Sequence, residues 1–275
     1  MYLVAGITTA MVELVDLSGY IEEGQPGVGS ETVLFTTLTH AERGIQVKRD
    51  LESRGLDGET EYVRRHLKAK RQGYDEEQPM TRTMIVSEHG PTHVDSIDHL
   101  DPTSELSIDE MPMEWFYGDA ICLDVSDTDY PNHVTKERIE TELDRTGLVI
   151  PDEGTVLFDT GHYEENYSAT DYDKKHIYEN EWVGMTEEAG EFVVDEGARA
   201  IGIDAISVDT LENIEPNYHF PVHALASREE IVIYENLANL SAVAGKSFTF
   251  VGMPLKIREG TGSPVRPFAV FESQS

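Results

Sequence analysis

Apolar residues along the chain fall mostly into short runs of strand length. VELVDLS, ETVLFTTLTH, TRTMIVSEH, DAICLDVSD, GTVLFDTGH, RAIGIDAISVD, EEIVIYENL, SFTFVGMPLKI and PFAVFES are rich in Val, Ile, Phe and Thr and bounded by Gly, Pro or Asp. Such runs predict β-strands. Helical spacing is rarer. Residues 134–147 place Ile139 and Leu143 on one face and close on Gly147, a helix stop. Residues 186–198 open on Thr186, with acids in the first turn, a helix start. Residues 50–72 are charged and interrupted by Gly55 and Gly58, so a surface helix is expected in their second half. DEEQPMTRT, residues 75–83, is the best loop candidate. Strands outnumber helices without strict alternation, which favours a mixed, β-rich α/β fold over a doubly wound parallel one. No internal repeat and no domain boundary stands out, so one domain is expected over residues 1–275.

Composition narrows the function classes. The 275 residues carry 21 basic and 53 acidic side chains, a formal charge of −32 spread along the chain. No basic stripe exists to neutralise nucleic-acid phosphate, so neither DNA nor RNA is an expected partner. An evenly acidic surface suits a protein hydrated in concentrated salt, which also screens self-repulsion. A halophilic cytoplasm is the expectation. No apolar run approaches the roughly 18 residues of a membrane span. The first residues lack a basic segment and soon meet Glu13 and Asp16, unlike a secretory leader. The single cysteine, Cys122, sits in the apolar run AICLDV and reads as a core residue.

The chemistry concentrates in SEHGPTHVDSIDHL, residues 87–100, where three of the ten histidines fall within residues 89–99. His89, His93, Asp95 and His99 are separated by 4, 2 and 4 positions. Even offsets put all four on one side of an extended chain, whereas on a helix they would scatter. Two imidazoles and a carboxylate on one face suit Zn2+ or Mn2+. The competing reading is a solvated strand with ordinary surface histidines.

The stretch resembles the H-x-G-T-H-x-D-x-P-x-H signature of the metal-dependent cyclase and kynurenine formamidase superfamily. Pro91 stands where the family has glycine, and Ile97 where it has proline. PVHALASREEIVIYENLANL, residues 221–240, resembles the family's second ligand segment, with His223 and Glu235 twelve residues apart. His219, four residues earlier, competes with His223, and the spacing favours His223. GIDAISVD, residues 202–209, resembles the G-x-D-x-x-S-x-D segment. The likeness spans residues 12–272 and is weakest over 41–80, which looks like an insertion, and over 159–182.

The resemblance implies a swivelling β/β/α cyclase-type domain with a barrel-like sheet, assembled as a homodimer or homotetramer. It implies one or two divalent ions, Zn2+ or Mn2+. His89, His93 and Asp95 would form one ligand set. Asp95, His223 and Glu235 would complete a second, and His99 would be catalytic. The implied activity is hydrolysis of a small amide, of arylformamidase type, with N-formylkynurenine the leading substrate. A cyclase, a lactone or cyclic-amide hydrolase, and a metal-retaining binding protein without turnover are the alternatives. No G-x-S-x-G elbow supports a serine hydrolase. Trp115, Phe116 and Tyr117 line a substrate pocket or pack in the core, and His162 is expected on a surface loop.

Overall fold

The computed structural model describes residues 12–26, 34–38, 40–71, 81–99, 101, 103–214 and 218–272. Most of the expected 75–83 loop and residues 1–11 lie outside the described residues; residues 81–83 are strand. The described strands are β1 (Val12–Asp16), β2 (Leu34–Leu38), β3 (Thr81–Ile85), β4 (His93–Asp95), β5 (Tyr117–Asp124), β6 (Thr155–Asp159), β7 (Ala200–Ile203), β8 (Val232–Glu235), β9 (Lys246–Val251), β10 (Gly262–Pro264) and β11 (Phe268–Glu272). The α-helices are α1 (His40–Ser53), α2 (Gly58–Arg71), α3 (Lys136–Thr146), α4 (His162–Asn166), α5 (Tyr172–Asn180), α6 (Glu187–Asp195), α7 (Leu211–Ile214) and α8 (Pro221–Glu229).

The chain forms two compact units, one of Met1–Thr32 with Val86–Ser275 and the other of Val33–Ile85. In the smaller unit β2 pairs antiparallel with β3, and α1 and α2 pack on each other, with Leu51 of α1 buried. The segment read as an insertion, 41–80, lies within this unit.

The larger unit is built on a nine-stranded sheet in the order β1-β11-β9-β5-β6-β7-β8-β4-β10. Its centre, β5 to β8, is parallel; its flanks are antiparallel. The sheet curls until Ser18, just past β1, bridges Leu237, just past β8. The Ala238 amide then donates to the Leu17 carbonyl at 3.0 Å. The result is the mixed α/β, half-barrel architecture expected.

Alternation along the central strands sorts side chains into two cores. Ile121, Leu123, Val156, Phe158, Ile201, Ile203 and Ile233 face the helices with Ile139, Val193 and Val222. Ala120, Cys122, Leu157, Ala200, Val232 and Tyr234 face the inside of the curl with Val94, Phe116 and Phe250. Covering both faces explains why these strands read as continuous apolar runs. Cys122 is buried, as expected.

The helices at 134–147 and 186–198 appear as α3 and α6. The Thr135 hydroxyl accepts from the Arg138 amide, and Gly147 closes α3 at φ 70°. The Thr186 hydroxyl accepts from the Ala189 amide. α2 occupies the second half of residues 50–72. Two expectations need correction. His162 is buried on α4, stacked on Tyr178 with centroids 4.8 Å apart, because α4 and α5 fold over this end of the sheet. Residues 89–99 are not one extended strand: only His93–Asp95 is strand, followed by the 3-10 turn Ile97–His99. Of the aromatic trio, Phe116 is core, Tyr117 is exposed, and Trp115 lies under the Arg199 guanidinium at 4.8 Å.

Candidate metal centre

The central parallel strands end on one edge of the sheet, where open α/β folds collect functional groups. β4 pairs antiparallel with β8, with His93 opposite Glu235 and Asp95 opposite Ile233. Val94 and Tyr234 point into the curl. Alternation therefore sends His93, Asp95 and Glu235 to the helix side, where all three are buried. His223 arrives in the first turn of α8, also buried. His219 is exposed, so the structure brings His223 and not His219 to this place.

Each imidazole at the centre is held by its outer nitrogen. His93 Nδ1 donates to the Pro91 carbonyl at 2.9 Å, and a carbonyl can only accept. His223 Nδ1 donates to Asp209 Oδ2 at 2.7 Å. Asp209 also accepts the Val222 amide at 2.8 Å and the His223 amide at 3.2 Å. It thus sits at the start of α8, where the helix dipole favours a carboxylate. These contacts leave both Nε2 atoms facing inward, as a carboxylate or carbonyl on the far nitrogen does for metal-binding histidines. The Val208 amide steers Glu235 by donating to Oε1 at 2.8 Å.

Inside, His93 Nε2 lies 3.4 Å from Asp95 Oδ1 and 3.5 Å from Glu235 Oε2. His223 Nε2 lies 3.4 Å from Asp95 Oδ2 and 3.4 Å from Glu235 Oε1. All four separations exceed the roughly 2.7–3.2 Å of a good N–H···O bond. They match the spacing between neighbouring ligands of a tetrahedral ion, about 3.3–3.5 Å for bonds of about 2.0–2.1 Å. Asp95 Oδ2 is buried without a hydrogen-bond partner, a costly state for a carboxylate oxygen unless a cation faces it. Nitrogen and carboxylate donors together suit Zn2+ or Mn2+. The residues present fit a divalent ion.

Electrostatics agree with the geometry. Burial disfavours the charged form of His93, but Asp95 and Glu235 outweigh it and hold its pKa well above the ordinary value. His223 follows the same pattern, with Asp209, Asp95 and Glu235 overriding burial. Burial would raise Asp95, yet His223, His89 and His93 hold it well below the usual carboxylate range. The cluster calls for positive charge between its carboxylates.

His89 and His99 form the rim, both half-buried. His89 Nδ1 donates to Asp95 Oδ1 at 2.8 Å, and its Nε2 lies 2.9 Å from Thr261 Oγ1. His99 stacks on His89 with centroids 4.1 Å apart and lies 6.0 Å from the His223 ring. Burial lowers the His99 pKa; Asp95 pulls it back up, and His89 and His223 push it down again. Two donor groups thus share Asp95: His93 with Glu235, and His89 with His99. All six residues singled out from the sequence converge here. Asp209 and Thr261 were not singled out. Asp209 lies in the G-x-D-x-x-S-x-D segment, so that motif carried a usable signal; Thr261 lies in PLKIREGTGSPVRPFAVF, a segment that also fits the family but marks no position in it.

A family model described as "Putative cyclase" matches residues 15–210. That span includes the His89-to-His99 stretch and Asp209; His223 and Glu235 lie beyond it. An isatin hydrolase of Roseibium aggregatum is 34% identical over 92 residues, covering 32% of this chain and 33% of that protein. The alignment thus spans about a third of that relative's length. A kynurenine formamidase of Bacillus thuringiensis is 26% identical over 183 residues, covering 66% of this chain and 76% of that protein. The crystal structure of an isatin hydrolase bound to the product analogue thioisatinate shares the fold, with a TM-score of 0.74 at 20% identity over 95% of this chain and 93% of that one. With the matched span covering most of its length, the chain belongs to the cyclase family.

Proposed function

We propose that this protein is a metal-dependent hydrolase of a small amide. The observation that carries the reading is the buried convergence of two imidazole Nε2 atoms on Asp95 and Glu235, with Asp95 Oδ2 left without a hydrogen-bond partner. His93 and His223 each face a different oxygen of both carboxylates, so His93, His223, Asp95 and Glu235 would hold one or two divalent ions, with His89 beside Asp95 as a further donor. A bound Zn2+ or Mn2+ would polarise an amide carbonyl and lower the pKa of water at the site towards about 7.

The rest of the chemistry falls to side chains. Asp209 and the Pro91 carbonyl fix the ring orientations, so the site needs little reorganisation when substrate arrives. An amide nitrogen leaves badly unless it gains a proton. His99 is placed to supply it: stacked on His89, it sits beside the cluster. Its depressed pKa favours the neutral imidazole, which can take a proton from water and return it to the leaving nitrogen.

The named relatives act on a linear formamide and on isatin, so N-formylkynurenine and isatin are the first probes. Turnover of either should vanish on chelation and return with Zn2+ or Mn2+. His99→Ala should keep its metal and lose about 10²–10⁴-fold in rate. A chelator-insensitive rate would contradict the reading. Full metal occupancy with no turnover of either probe would favour the binding-protein alternative.

A further inference from the structure

A second acidic pocket stands apart from the histidines. Asp159 ends β6, and Asp204 follows the last residue of β7, the strand beside it. Gly161, at φ 75°, turns the chain from β6 directly into α4, a backbone conformation that favours glycine. That turn brings Glu164 back over the strand ends. Donor oxygens of Asp159, Glu164 and Asp204 lie within 4.8 Å of one another. Asp159 is 3% exposed and Asp204 0%, whereas Glu164 is exposed and forms the open rim.

We propose that Asp159, Asp204 and Glu164 form a second cation site that takes a hard, oxygen-preferring divalent ion of the calcium class. Asp204 Oδ1 is fully used, accepting the Thr160 amide at 2.9 Å and the Thr160 hydroxyl at 2.7 Å. Asp204 Oδ2 is buried and has no hydrogen-bond partner. The charged groups acting most strongly on Asp159 and Asp204 are themselves acidic: Glu164 and Asp124 on the first, Asp159 and Glu164 on the second. Nothing cationic among them offsets the repulsion. The donors are all carboxylate, without the imidazoles of the other centre, which selects against Zn2+ and for hard cations. Calcium–oxygen bonds of about 2.3–2.6 Å let ligand oxygens stand up to about 4.6–5.2 Å apart, so donors within 4.8 Å of one another can share one such ion. Magnesium demands near-ideal octahedral geometry and gives up its waters reluctantly, which disfavours it among buried carboxylates.

The test is calorimetric titration of Ca2+ into the full chain, its histidine site first filled with Zn2+, in molar KCl to screen diffuse binding to the acidic surface. One Ca2+ per chain is expected, with a rise in melting temperature. Asp204→Asn should abolish both effects. Glu164→Gln, at an exposed position that leaves the core intact, should weaken binding at least tenfold. Wild-type protein with neither heat nor a melting shift would overturn the proposal, and the two aspartates would then be held together by a retained proton. Binding unchanged in Glu164→Gln and Asp204→Asn would equally overturn it, since the ion would sit elsewhere.

Discussion

The two pockets lie on one edge of the same sheet and share a feature, a buried carboxylate oxygen without a hydrogen-bond partner: Asp95 Oδ2 in one and Asp204 Oδ2 in the other. They differ in their company. Asp95 is surrounded by His89, His93 and His223, which hold it ionised. Asp204 accepts from Thr160 and faces the carboxylates of Asp159 and Glu164, and burial pushes its pKa up to about 7. A carboxylate with imidazoles is poised for a borderline transition ion and proton transfer. A carboxylate with carboxylates stays strained until it gains a proton or a hard cation. Neighbouring donors, more than burial, decide which chemistry a buried acid serves.

His93→Ala separates the two pockets most cleanly. It should abolish metal-dependent hydrolysis while leaving Ca2+ binding at the acidic pocket intact; loss of both would show that the pockets are one coupled site. Next in size is His99→Ala. The expected loss of about 10²–10⁴-fold should come with unchanged zinc or manganese content. Loss of metal would make His99 a ligand, as its place with His89 and Asp95 allows.

The acidic pocket has its own signature in metal-free protein. Burial, then neighbouring carboxylates, push Asp159 to about 6, and burial places Asp204 at about 7. In the unfolded chain both ionise near about 3.9. Between those values the folded state holds more protons than the unfolded one, so stability falls as pH rises from about 4 to 7. For Asp204 alone the loss is about 4 kcal/mol. Denaturation of wild type and Asp204→Asn across that range should show the two converging in acid and the variant more stable at pH 7, with Ca2+ erasing the gap. Parallel curves would contradict this.

Smaller effects sharpen the picture. Asp209→Asn should weaken metal affinity about 10–100-fold by freeing the His223 ring, measurable by competition with a chromogenic chelator. The −32 charge should make the unfolding midpoint climb with KCl into the molar range; a midpoint flat with salt would count against a halophilic origin.

Much of this was legible in the sequence. The central strands β5 to β8 announced themselves, because two-sided burial demands runs such as AICLDV and EEIVIY. β4 and β10, three residues each, were too short to show any period. The even offsets in SEHGPTHVDSIDHL describe His93 and Asp95 correctly, since those two share a strand face. His89 and His99 reach the site by other means, a turn before β4 and a 3-10 turn after it, so their convergence is tertiary. Asp159 left no trace, and Asp204, though it stands in the G-x-D-x-x-S-x-D segment, carried no sign that it would be buried beside Asp159. In a chain with 53 acidic residues, an aspartate that folding will bury looks like any other. His162 misled because its burial depends on α4 and α5, whose charged residues, such as Asp173, Lys174 and Lys175, hide a packed inner face.

Elemental analysis asks whether the histidine cluster holds divalent metal. Protein purified in high salt without chelator should carry one or two equivalents of zinc or manganese per chain, and His93→Ala should carry markedly less. Wild-type protein that arrives empty and takes up neither metal on addition would contradict the account.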